Sequence, residues 1–381
     1  MLKTFLNLFN QVTHLPAGIS HYQSPPEDPR NYRLHLRLEK DGSGVLIVNA
    51  STVLHLNQTA AEYAYLLVQN LPIKEVVQKI TGRYRVGKEQ ALKDYQEFAE
   101  RIDTLVTIPD LDPVTFLDFD RQTPYSGEIS APYRLDCALT YRLTPNADPS
   151  FAPTKRVTRE LTTLEWEKIL DQAWEAGIPH VIFTGGEPTL RDDLVELISH
   201  AEKNGQVSGL LTDGLKLAEA EYLDSLVRTG LDHIMIVLQS ENPATWIALE
   251  KAFQADIFTA VHLTITPQNA SKIPEIIHRL GQIKVSALSL SAIDAKLKDQ
   301  LKQAAEIASH LDMALTWDLP VPYSLLNPIA QELIEESLPA GAGRAWLYVE
   351  PDGDVLPAQG VNQLLGNFLL DPWEKIWENH P

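Results

Sequence analysis

LDCALTYR (135–142), LEWEKILDQAWEAG (164–177), HVIFTGGEP (180–188) and LLTDG (210–214) are pieces of one pattern. Apolar strand, helix, strand, helix, strand predicts a parallel sheet with helices laid against it. In the first helix Trp166, Ile169, Leu170 and Ala173 fall at i, i+3, i+4 and i+7, one apolar stripe. Thr162 followed by Glu165 fits a capping box, and Gly177 suits a left-handed cap at the far end. His180-Val181-Ile182-Phe183 is short and continuous, as in a strand covered on both faces. Such folds bind ligands at the carboxyl ends of their strands. That rule puts Gly185, Gly186, Glu187, Pro188, Thr212 and Asp213 at the candidate site.

The pattern continues beyond Gly214. Helices are expected near 218–229, 243–253 and 273–281, and strands at 233–240, 258–266 and 285–293. Their ends add Gln239, Ser240, Thr266, Ser291 and Asp294 to the rim. A plainer reading stands beside this one. Gly185-Gly186 is then a tight turn, Glu187 an anion at a helix start, and Asp213-Gly214 a second turn. His262, in mid-strand, reads as a satisfied core residue rather than a ligand.

LTYR, TGGEP and LLTDG, in this order and each at a strand end, resemble the radical S-adenosylmethionine (SAM) superfamily. The resemblance implies a partial (β/α)6 barrel whose GGEP-type turn cradles the amino group of SAM. It also implies a C-x3-C-x2-C motif after the first strand, holding a 4Fe-4S cluster. Aligned on LTYR, those three positions are Leu143, Ala147 and Ser150. Iron–sulfur clusters are held by thiolates, and the whole sequence has one cysteine, Cys137. It lies inside the first strand and reads as a small buried hydrophobe. No cluster, no metal ligand set and no catalytic residue is therefore expected, and radical chemistry by the family mechanism is excluded. The resemblance implies cofactor contacts at Gly185, Gly186, Glu187, Pro188, Thr212, Asp213 and Ser240. At the last of these the fourth strand ends Val237-Leu238-Gln239-Ser240 in place of the family's S-L-D-like run. Without iron to chelate the methionine end, SAM is expected to bind weakly or not at all.

Upstream, residues 1–31 read as an apolar-faced helix followed by the stiff linker SPPEDPR (24–30), and the helix as docked on the body or on a partner. Residues 32–106 read as three short strands and then three helices. A strand ending in LHLN before QTAAEYAYLL resembles PqqD-like domains, which recognise the leader of a ribosomally made precursor peptide. The resemblance implies that a peptide adds as a strand beside Val53, Leu54, His55 and Leu56, a physically ordinary way to hold a chain. A regulatory or dimerising wing is the plainer alternative. Residues 107–131 form a linker and 132–325 the barrel.

The C-terminal part, 326–381, resembles the SPASM or twitch extensions of peptide-modifying radical SAM enzymes, with a hairpin turning at Pro351-Asp352-Gly353-Asp354. Alanine stands near 340 and at 358 where that resemblance implies cluster cysteines. The extension, with Trp346, Trp373 and Trp377, is expected to pack over the barrel opening.

A formal net charge of -19 argues against a nucleic-acid partner, whose phosphates call for a basic surface. No apolar run approaches the ~18 residues that span a bilayer, and one cysteine fits a reducing compartment, so a cytoplasmic protein is expected. The expected function is that of a cluster-free pseudoenzyme. It would hold a precursor peptide and scaffold or regulate its modification by a cysteine-bearing enzyme. The alternatives are a non-radical enzyme or a SAM or nucleotide sensor using the rim.

Overall fold

Strands β1 (Gly18–Gln23), β2 (Arg33–Leu38), β3 (Gly44–Val48) and β4 (Thr52–Leu56) form an antiparallel sheet in that order. The computed structural model describes residues 13–108, 111, 113–117, 129–145, 157, 159–255, 257–316 and 341–380. The chain divides into two units, 1–130 and 131–381.

The first unit carries one strand more than the sequence reading allowed. GISHYQ has few apolar residues to announce a strand, and β1 is a largely exposed edge. It pairs along its length with β2, from Gly18↔Leu38 to Gln23↔Arg33. The proline-rich stretch after it is the loop of this hairpin rather than a linker between regions. Ser24 N–H donates to Tyr32 O at 2.9 Å, and Tyr32 N–H donates to Ser24 Oγ at 2.9 Å. The predicted helix before it falls largely on 1–12, outside the described residues.

Alternate residues of the other strands face the helices, and on β2 and β3 the opposite face is buried as well. Leu34, Leu36, Leu46, Leu54 and Leu56 pack against helices α1 (Gln58–Val68), α2 (Ile73–Arg83) and α3 (Lys88–Thr107). Asn57 starts α1, its Oδ1 accepting from Ala60 N–H at 3.0 Å. Buried Glu62 ties α1 to α2 through Arg83, at 2.7 and 2.9 Å. β4 has β3 on one side and no strand of the described residues on the other.

In the second unit, β5 (Arg134–Thr140), β6 (His180–Gly185), β7 (Val207–Thr212), β8 (His233–Val237), β9 (Phe258–Ile265) and β10 (Ala287–Ala292) pair in parallel and in sequence. Helices α4 (Thr163–Glu175), α5 (Leu194–Asn204), α6 (Ala220–Thr229), α7 (Pro243–Gln254) and α8 (Ile273–Ile283) alternate with them. The stripe Trp166, Ile169, Leu170 and Ala173 is fully buried, and Gly177 adopts φ 87° beyond the end of α4. Alternate strand residues such as Leu135, Phe183, Leu210, Ile236 and Leu263 join the core that the helices cover. Ile182, Leu211, Met235, Ala260 and Ala287 cluster on the other face. A further helix, α9 (Lys298–His310), follows β10 and completes the sixth strand–helix unit.

β11 (Trp346–Val349) pairs in parallel with β5, and β12 (Asp354–Leu356) and β13 (Gly366–Asn367) extend the sheet antiparallel. The hairpin thus joins the barrel sheet edge to edge, a pairing that the sequence does not predict. Trp346 lies against β5, its ring 5.2 Å from the Arg134 guanidinium. Trp373 and Trp377 stack on the short helix α10 (Trp373–Glu378) and pack on the core.

Candidate functional site

The rim is built on two close backbone approaches. Where β6 ends, Gly186 N–H donates to Thr140 O at 2.8 Å and Glu187 N–H to Arg142 O at 2.9 Å, carrying the pairing past the strands. A Cβ on Gly185 would lie 2.2 Å from Thr140 O, and one on Gly186 2.2 Å from Arg142 O. Gly185 also sits at φ 123°, a conformation that L side chains rarely adopt. The glycine pair is required by this contact, with or without a ligand.

Glu187 is buried at 2% exposure, and its carboxylate is spent within the protein. Oε1 accepts from Thr189 N–H at 2.9 Å, Thr189 Oγ1 at 2.5 Å and Thr212 Oγ1 at 2.8 Å. Oε2 accepts from Asp213 N–H at 2.8 Å. One side chain therefore clamps the end of β6 to the end of β7. The expectation that this carboxylate reaches a ligand meets a group already engaged on both oxygens. Burial, and then the negative charge of Asp213, push the Glu187 carboxyl up to about 7, against the hydrogen bonds from Thr189 and Asp213. Asp213 is only partly buried and turns the chain, its Oδ1 accepting from Leu215 N–H at 2.9 Å.

Several residues of this cluster were not singled out from sequence. Thr189 is one, and its place two residues after Glu187 is a usable signal for a local side-chain-to-backbone bond. Lys216 donates to Thr189 O at 2.9 Å and lies 4.3 Å from the centre of the Tyr222 ring. Arg191 is buried, doubly bonded to Asp193, and donates to Leu139 O and Leu161 O at 3.2 and 3.0 Å. Lys216 and Tyr222 reach the cluster only through the fold.

The other rim candidates are dispersed. Ser240 offers its carbonyl to Trp246 Nε1 at 2.8 Å, and Gln239 is exposed. Thr266 closes a turn with Asn269, and Asp294 takes Lys296 N–H. Ser291 and Ser289 lie 3.0 Å from the two ring nitrogens of His262, which is buried and satisfied as a core histidine. In the first unit Leu54 and Leu56 face the core, whereas Val53 and His55 lie on the opposite, partly exposed face of β4.

The donor set for an iron–sulfur cluster does not fit. Cys137 is fully buried among the apolar residues under the helices, and burial pushes its thiol well above the usual range. Leu143 packs with Tyr141 and Tyr348, while Ala147 and Ser150 lie outside the described residues. Ala358 is fully buried, and 340 also lies outside the described residues.

Residues 137–280 match the family model described as the Radical SAM superfamily. The barrel has the radical SAM fold. The PqqA peptide cyclase of Bradyrhizobium diazoefficiens is 30% identical over 256 residues, 59% of this chain. The match spans 64% of that relative's length. SuiB of Streptococcus suis, solved bound to the precursor peptide SuiA, superposes with TM-score 0.59 at 17% identity, over 94% of this chain and 88% of that one. The same protein bound to S-adenosylmethionine gives 0.57 at 17% identity, with the same coverages. Among the described residues no helix is long and apolar enough to cross a membrane.

Proposed function

We propose that this chain is a cluster-free radical SAM-like protein. It binds a precursor peptide and scaffolds or regulates the peptide's modification by a separate, cysteine-bearing enzyme. One observation carries the reading: the only thiol of the sequence is Cys137, sealed in the core away from the rim. Peptide as partner is supported by the likeness to a PqqA peptide cyclase and to a fold solved with a precursor peptide. Anaerobic reconstitution with iron and sulfide is the direct test. We expect neither element to be retained as a cluster, and about four of each per chain, with a paramagnetic signal on reduction, would overturn the proposal.

The peptide is assigned to the outer edge of β4, at Val53, Leu54, His55 and Leu56, in a PqqD-like domain. Proline removes an N–H donor and is tolerated poorly where a strand must pair. Val53 and His55 are two apart, so their N–H groups leave the strand on one side, and Val53→Pro and His55→Pro are each expected to abolish binding of a captured leader peptide. Unchanged affinity in both variants, with the domain still folded by circular dichroism, would exclude strand addition.

A second reading, a SAM or nucleotide sensor or a non-radical enzyme, is supported by the likeness to a fold solved with S-adenosylmethionine bound. Calorimetry with SAM and with S-adenosylhomocysteine separates the two. The cluster-free scaffold is expected to bind both weakly or not at all and to form no 5′-deoxyadenosine. Tight binding of either would favour the sensor.

A further inference from the structure

At the end of the barrel opposite the rim, His180 opens β6 and His233 opens β8. β7 runs between them and presents Gly209, which pairs with His233 on one side and Ile182 on the other. A Cβ at 209 would lie 2.2 Å from His233 Nε2, so the imidazole crosses β7 through space that only glycine leaves. The two Nε2 atoms come to 3.4 Å, with ring centroids 5.0 Å apart and planes inclined at 61°. Both side chains stay partly exposed.

Two chemistries compete for that distance. An N–H···O bond spans ~2.7–3.2 Å and an N–H···N bond slightly more, so 3.4 Å is at the long end for an imidazole pair sharing one proton. Two imidazole nitrogens at ~2.0–2.1 Å from one tetrahedral ion are separated by ~3.3–3.4 Å. The observed spacing matches the second. We infer that His180 and His233 form a two-histidine site for a borderline transition-metal ion such as Zn2+ or Cu2+, with water completing the coordination.

The surroundings suit such an ion. Arg134 is the cation of this region, and its guanidinium is bonded to Asp136 at 2.8 and 3.2 Å. Its charge is partly offset by that carboxylate.

The test uses the full chain after chelator treatment. One equivalent of Cu2+ added to the wild-type protein is expected to give a paramagnetic resonance spectrum with two imidazole nitrogens. Calorimetry with Zn2+ is expected to show one site whose affinity falls at least about 10–100-fold in His180→Gln and in His233→Gln, as for other groups that tune metal sites. Competing sites are His200, flanked by Asp171 at 2.6 Å and Glu167 at 3.4 Å, which offers one imidazole, and the carboxylates of Glu350, Asp352 and Asp354, which offer none. A first copper equivalent with one imidazole nitrogen or none would overturn the inference, as would zinc affinity unchanged in both variants. If neither variant folds, the wild-type copper spectrum decides alone. Ions at this pair bind without sulfide, which keeps this result separate from the reconstitution that tests the cluster-free reading.

Discussion

Gly186→Ala is expected to destabilise the barrel by about 3 kcal/mol or more, the upper range for overpacking a tight contact. The added methyl would lie 2.2 Å from a backbone oxygen, that of Arg142, and 2.9 Å from the Tyr141 carbonyl carbon. No rotamer relieves a clash between Cβ and main chain, so the ends of β5 and β6 must separate and lose the Gly186–Thr140 and Glu187–Arg142 bonds. Gly185→Ala adds backbone strain at φ 123° to a clash of the same size. Urea denaturation followed by tryptophan fluorescence measures the loss. A shift below about 1 kcal/mol, well under that range, would mean that the strand ends are looser than described.

The second large effect is expected at Glu187. In Glu187→Ala the buried Thr189 amide loses its acceptor at ~1–3 kcal/mol, and the partly buried Asp213 amide and two threonine hydroxyls lose theirs as well. Glu187→Gln is expected to cost less, because its oxygen still serves Thr189 and Thr212 while only the Asp213 amide meets an NH2 group. The two variants also separate packing from charge. The native carboxyl titrates near 7, above its ordinary 4.5, so the folded state holds more protons than the unfolded chain between those values. Its contribution is therefore complete below pH 4.5 and lost as pH rises through about 7. Denaturation midpoints from pH 4 to 8 are expected to fall across that window in wild type and to lack this component in Glu187→Gln. Parallel curves for the two proteins would show that Glu187 titrates alike in the folded and unfolded chain, with no upward shift.

The sequence made the barrel legible because period and punctuation agreed there. The stripe from Trp166 to Ala173, the cap at Gly177 and the apolar run at 180–183 all point to one arrangement. β1 escaped because an exposed edge strand needs no apolar alternation, and GISHYQ has almost none. The hairpin of β11 and β12 was visible as a hairpin, but nothing local says which edge it joins; a parallel partner is set by long-range packing. At the rim, sequence located Gly185, Gly186, Glu187, Thr212 and Asp213 as neighbours, yet could not say that the carboxylate faces inward. That depends on Thr189, Thr212 and the Asp213 amide converging on it, which only the completed sheet arranges.

Sealing of β5 by β11 also bears on how the chain is made. Tyr141 and Tyr348, whose hydroxyls meet at 3.0 Å beside this pairing, are 207 residues apart. At ~5–20 residues per second, a ribosome takes roughly 10–40 s to deliver the partner strand after the first has emerged. Throughout that interval one side of β5 is an unpaired apolar edge, the kind of surface that recruits foreign strands. The nascent barrel is then most vulnerable to misassociation, and chaperone demand during synthesis should track the arrival of residues 346–349 rather than completion of the six-stranded core.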